Sequence, residues 1–312
     1  MAIEPVPGLL PQVYELLKSG ELEQANRDLA RLLQQDLENA EVLFALTGVT
    51  FWIDKLKRAR ESSTDFERGE YLVSQWRPFT AYIEKTGRIY EVGMYAIRQC
   101  VFTLALRFYQ SLYREDGTAQ EAELYRKIGL CYKSLGDYER ALHLLEQAVN
   151  ADRDSPAILA ELGDCYALCG EMRLAKVYFR EAFFQGADAV DLHFLESEII
   201  RRLISQVQAL GYSGQVLAEW LPVYGVLYGV LNVKRELRAL EFGKLKQAIF
   251  ALENEIKDAS EQSRLVLVPR LINHYFWLID HYINVNDDKT RINEVLLKIK
   301  LLDTDVYNRY TV

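Results

Sequence analysis

Tyr125-x2-Ile128-Gly129-x2-Tyr132, then Gly136, then Ala141-x3-Leu145: the reading of this chain turns on this stretch, because it recurs. Thirty-four residues later stand Leu159-x2-Leu162-Gly163-x2-Tyr166, then Gly170, then Ala175-x3-Phe179. A fixed period of this length marks a supersecondary unit that cannot bury its apolar face alone and does so by stacking on its neighbours. The spacing predicts two helices per copy, with a turn at Leu135-Gly136-Asp137 in the first and Cys169-Gly170-Glu171 in the second. Gly129 and Gly163 fall inside helices, where glycine costs about 1 kcal/mol relative to alanine, so a close approach between helices is expected to offset the loss.

These residues resemble the tetratricopeptide repeat (TPR) family over 122–189. The resemblance implies an all-α fold, a right-handed superhelix of helix-turn-helix units, with Ala141 and Ala175 supplying the closeness from the opposing helix. Two departures stand out: Tyr125 and Leu159 hold positions where the family often has tryptophan, and the inter-repeat proline is displaced to Ser155-Pro156. That placement suits Ser155 as an N-cap and Pro156 as the first helical residue.

Working outward, residues 9–36 read as a degenerate helical pair broken at Ser19-Gly20. A helix follows over 39–57, and a charged stretch over 58–68 reads as a solvated helix end or loop. Helix resumes over 66–84 and is expected to bend or restart near Pro78. Ile89-x2-Val92-Gly93 and Ala105-x3-Tyr109 match the two halves of the repeat, making 86–112 a third, divergent unit that Asp116-Gly117 ends. After Gly186 the period is lost, yet helical patterning continues over 190–210, 216–231, 233–257, 264–285 and 288–302. The chain thus divides into divergent units over 1–120, two well-formed repeats over 122–189 and an irregular helical region over 190–312, together one continuous body.

Composition sets outer limits. Half of the 312 residues are apolar, and the net charge of −8 argues against a nucleic-acid partner, since such proteins concentrate Lys and Arg. The N-terminal apolar run is broken by Pro5, Pro7 and Pro11 and lacks a basic segment, so no signal peptide is read and the cytoplasm is the expected location. The charge-free run 220–233 contains Gly225 and Gly229, but 14 residues span only about 21 Å at about 1.5 Å each. A bilayer needs about 30 Å, so the run reads as a buried helix rather than a membrane span.

Chemistry is sparse. Cys131 and Cys165 hold equivalent repeat positions where a small apolar group is wanted, and Cys165 with Cys169 lacks a second ligand pair at zinc-like spacing, so no metal is expected. His274 and His281 share a helix face near Asn273 and Asp280, without a nucleophile, phosphate loop or paired carboxylates. Acids at helix junctions, Asp152 with Asp154 and Asp287 with Asp288, read as caps. No catalytic residue and no cofactor is expected.

The resemblance implies instead a binding surface on the concave side, formed by the first helix of each unit: Tyr90, Met94, Ile97 and Arg98, then Glu123, Arg126, Leu130 and Lys133, then Asp164. Relatives that clamp a terminal carboxylate use lysines and asparagines there. Leu130 and Asp164 replace the asparagines, and Ala160 stands where a base would, so that clamp is not preserved. The chain therefore reads as a non-catalytic scaffold that binds a peptide or helix of another protein. A second reading is a self-associating homodimer built through Trp220, Tyr224 and Tyr228, with the groove filled by the chain's own C-terminal helices. A third, from a different class, is an enzyme or ligand-responsive regulator near His274 and His281.

Overall fold

A computed structural model describes residues 6–112 and 122–311, and the reading of Asp116-Gly117 as a terminator lies outside them. Every regular element among the described residues is helical. The chain divides into two units, Met1–Ala151 and Asp152–Val312, and the border falls between the two repeats.

The first unit begins with α1 (Val6–Ser19) and α2 (Leu22–Gln35), whose buried leucines and Ala25 recur at helical spacing. Asn39 caps α3 (Ala40–Ala59) by accepting from the Val42 amide, which satisfies an amide that the helix itself leaves unpaired. Helix α4 (Asp65–Ser74) opens with a reciprocal capping box between Thr64 and Glu67 inside the charged stretch. The next break falls at Gln75 and not at Pro78. Helix α5 (Trp76–Thr86) carries the proline in its first turn, where the missing amide hydrogen costs nothing. Trp52, Trp76 and Phe79 interlock at ring-centroid distances of 5.4–6.2 Å and fill the space between α3 and α5.

Residues 86–112 depart from the sequence reading. Both halves of the divergent repeat lie in one continuous helix, α6 (Glu91–Gln110), with no turn between them. No glycine or proline interrupts 94–110, and Ile89 and Val92 point outward at 43% and 58% exposure. Helix α6 packs against α1, α4 and then α7 (Ala122–Leu135), which pairs with α8 (Tyr138–Ala151).

The second unit opens with α9 (Pro156–Leu168) and α10 (Met172–Gly186), each starting 34 residues after its counterpart in the first repeat. The glycines behave as the repeat physics requires. Gly136 and Gly170 both take φ +86°, ending α7 and following α9. A Cβ on Gly129 would meet Leu145 at 2.8 Å, and one on Gly163 would meet the Phe179 amide nitrogen at 3.1 Å and the Ala175 carbonyl at 3.2 Å. Pro156 is the first residue of α9, but the Ser155 side chain makes no capping bond.

Beyond Gly186 come two short 3₁₀ turns (Ala187–Ala189 and Leu192–Phe194) where a helix over 190–210 was expected; helix begins only at α11 (Glu198–Gln208). Helix α12 (Gly214–Leu227) ends inside the charge-free run, and Gly229 lies past its end at φ +71°. An extended segment reaches α13 (Ala239–Asp258), and α14 (Glu261–Asn284), α15 (Lys289–Leu302) and α16 (Thr304–Thr311) complete the unit. Helix α14 is its core, with Leu271, Ile272, Phe276, Trp277 and Ile279 each no more than 2% exposed. None of the described helices is long and apolar enough to cross a membrane.

Candidate functional site

In the first unit, α6 and α7 lie side by side and hold eight of the nine residues expected on the concave face. Tyr90 is the N-cap of α6, tilted against Phe44 at 5.6 Å with the Arg88 guanidinium 5.1 Å over its ring. Met94 and Arg98 follow one and two turns on, both partly exposed, and on α7 Glu123 is open. Arg126 lies next to it and donates from Nε and Nη2 to both oxygens of Glu123, at 2.8 and 2.6 Å.

Three other members of the set are buried. Ile97 points into the core, where its Cδ1 lies 2.5 Å from the place a Cβ on Gly48 would occupy. Leu130 and Lys133, each 1% exposed, lie on the same helix as Glu123 but are closed off. The fourth buried residue, Asp164, belongs to the second unit and is fully enclosed. Its carboxylate accepts the Glu196 amide at 3.0 and 2.9 Å and the Ser197 amide at 2.8 Å, so it anchors the start of α11. A carboxylate that takes two backbone donors has little left for a partner's terminus.

The charges around α7 are already matched. Lys127 reaches Glu70 of α4 at 2.7 Å, and the Tyr109 hydroxyl donates to the other Glu70 oxygen at 2.5 Å. Burial, with Glu70 beside it, pushes the Tyr109 phenol well above its ordinary range. Burial would raise the Glu123 carboxyl, but Arg126 and Lys127 together outweigh it and hold the group below the usual carboxylate value. The charge of Arg126 is thus balanced within the molecule, and what α6 and α7 offer outward is aromatic and thioether surface beside an ion pair.

One surface feature escaped the sequence reading. A pocket of about 390 Å³ opens between α6, α7 and α8, floored by Ile128, Tyr132 and Leu144 and rimmed by Gln110, Arg140 and His143. His143 is hydrogen-bonded to Gln147, four residues on along α8, and that spacing is the one signal of it in the sequence.

In the second unit, Trp220 and Tyr224 are each 6% exposed, in a ladder from Tyr212 through Trp220 and Tyr224 to Tyr228 with successive centroids 5.1–5.6 Å apart. Only Tyr228, at 39%, is open for association. His274 and His281 have separate surroundings. The His274 Nδ1 donates to the Arg270 carbonyl at 2.7 Å, whereas His281 stacks on Phe242 at 4.2 Å and its Nδ1 accepts the Leu237 amide. Asp280 is taken up by Arg180 at 2.5 Å and Lys234 at 3.3 Å. Among the described residues no group of three or more His, Cys, Asp or Glu is arranged to hold a metal ion.

Against this geometry stands one match to a known family, the tetratricopeptide repeat, over residues 133–193. This stretch is similar to a tetratricopeptide repeat segment. It takes in α8 to α10 and the turns that follow, and the 34-residue offset carries the same TPR pattern back through α7. No curated protein matches the chain. TPR units act in general as protein-binding surfaces without chemistry of their own, and every regular element among the described residues is helical.

Proposed function

We propose that this protein is a cytoplasmic, non-catalytic scaffold that seats an amphipathic helix or peptide of a partner protein on the α6–α7 face of its first unit. The TPR match over 133–193 supports a scaffold in general, and the α6–α7 face is favoured by the partly exposed Tyr90 and Met94 on the helix that packs beside α7. Tyr90 and Met94 supply an aromatic and a soft thioether contact, and the Glu123–Arg126 pair supplies a polar rim. Because Arg126 is already matched by Glu123, the partner is selected by apolar anchors more than by acidity.

The test places a photo-crosslinking amino acid at Met94 in native extract, followed by direct binding of the captured protein to the purified chain. The expected result is a discrete partner whose affinity falls at least about tenfold in Tyr90→Ala, as for loss of an aromatic anchor. Capture of the same protein at equal yield from His143, on the pocket rim of α8, would overturn the assignment of the face.

A further inference from the structure

The second unit holds a cavity of about 310 Å³ between the end of α10, α12, α13 and α14, within the size range of small-ligand sites. Its wall carries Phe184, Asp188, Glu219, Arg270, Asn273 and His274. Glu219 is 2% exposed, within α12 and immediately before the charge-free run. Burying a carboxylate there is costly unless it is paired and hydrogen-bonded. One of its oxygens, Oε1, accepts both Nε and Nη2 of Arg270. Neither of these bonds uses its other oxygen, Oε2.

The remaining polar groups add acceptors. His274 must carry its proton on Nδ1 to donate to the Arg270 carbonyl, which leaves Nε2 as a bare acceptor on the cavity wall. Asn273 spends its amide nitrogen on the Phe183 carbonyl, leaving its oxygen. Asp188 lies 3.4 Å from Arg270 and is about half exposed, at the mouth. Two carboxylates thus face one guanidinium, and burial keeps His274 uncharged by lowering its pKa. Phe184 adds an aromatic wall, its ring stacked on Trp277 at 4.3 Å and tilted against His274 at 5.7 Å, and aromatic rings attract cations. Surplus negative charge, surplus acceptors and an aromatic wall are the complement of a group with several N–H donors and a positive charge.

We propose that this cavity binds an organic cation bearing a guanidinium or ammonium group, which donates to Oε2 of Glu219 and lies against Phe184. Arg270 already shows the geometry, a guanidinium seated on the same carboxylate from the other side. The site is independent of the partner surface on α6 and α7, so either stands if the other fails.

The test titrates the purified full chain with agmatine, methylguanidinium and the neutral diol of matching length, by calorimetry and by melting temperature. Agmatine and methylguanidinium are expected to bind and raise the melting temperature, and the diol is not. Glu219→Gln is expected to weaken agmatine at least about tenfold, as for loss of a charge-assisted hydrogen bond. Since that variant also leaves Arg270 short of its partner, Ala251→Phe serves as a second probe: it fills the cavity from α13 and keeps the ion pair. A capped peptide with a single arginine separates the sources. Binding equal to that of agmatine identifies a protein side chain, and binding by agmatine alone identifies a free amine. No binding at millimolar agmatine, or binding undiminished in both variants, overturns the proposal.

Discussion

Helices α9 and α10 and the helices that follow them belong to one unit and are held by opposite means. The repeat pair is held by what is missing: Gly163 has no side chain and Ala175 almost none, so backbone meets backbone. The helices after Gly186 are held by what is normally kept out of a core. Arg180, 4% exposed, donates to Asp280 at 2.5 Å and to the Leu231 carbonyl at 2.8 Å, and its guanidinium lies 4.9 Å over the Trp277 ring. Arg235 lies over the same ring at 5.4 Å and bridges Glu181 of α10 to Glu241 of α13. Close packing tolerates repetition, because each copy needs only small residues at fixed offsets. A buried charge needs one particular partner, and so it fixes one particular arrangement.

The largest effect is expected where that contrast is sharpest. Asp280→Ala leaves Arg180 buried without its counter-charge and is expected to cost about 3–5 kcal/mol, read by denaturant melts that follow Trp277 fluorescence. Burial raises the Asp280 carboxyl and lowers the Arg180 guanidinium, with their contact opposing both shifts, so neither group is at ease alone. The double change Arg180→Met with Asp280→Leu is expected to cost far less than the single one. If it costs as much, the charge pair is not what distinguishes this region.

A smaller effect separates the two repeats. A methyl group on Gly163 presses on the Phe179 amide and the Ala175 carbonyl, which no side-chain change can move away. Gly163→Ala is expected to cost about 1–3 kcal/mol from overpacking, less the roughly 1 kcal/mol by which alanine favours a helix. On Gly129 the conflict is with the Leu145 side chain. Gly129→Ala with Leu145→Ala is therefore expected to cost less than the sum of the two singles, whereas Gly163→Ala with Phe179→Ala is expected to be additive. Additivity in both pairs would remove the distinction.

The smallest effect is on pH dependence. Burial lowers the folded-state pKa of His274, against the backbone bond to Arg270 that raises it. The unfolded chain therefore binds a proton below about 6.5 that the folded one refuses, and stability falls as pH drops through that value. Glu219, raised by burial, acts in the reverse sense, and Arg270 keeps its charge throughout this range. The difference between wild type and His274→Gln isolates the histidine. Melting temperatures at pH 7.5 and 5.5 are expected to differ less in the variant, and equal slopes would refute the assignment.

The repeat pair was legible in the sequence because its determinants are local: glycines and alanines at fixed offsets within 34 residues, with turn glycines at φ +86°. The same template misled over 86–112, where matching landmarks lack the turn residue and one helix runs through both halves. Pro78 drew the expected break three residues too far, since a proline is as much at home in a first turn as past a last one. The candidate surface was legible only in part. The resemblance drew the expected surface onto α6 and α7, but which of those side chains are closed off depends on neighbours such as Gly48, far away in sequence. The charged contacts of the second unit had no sequence signal at all. Arg180 and Asp280 are 100 residues apart, and Glu219 and Arg270 are 51 apart.

Asp164 has a bearing on how such a chain grows. By holding the amides of Glu196 and Ser197, it turns the backbone aside where a further 34-residue copy would have to begin. A copy duplicated after Gly186 would displace those amides from a fully enclosed carboxylate, so lengthening the array at this end calls for a change at Asp164 as well.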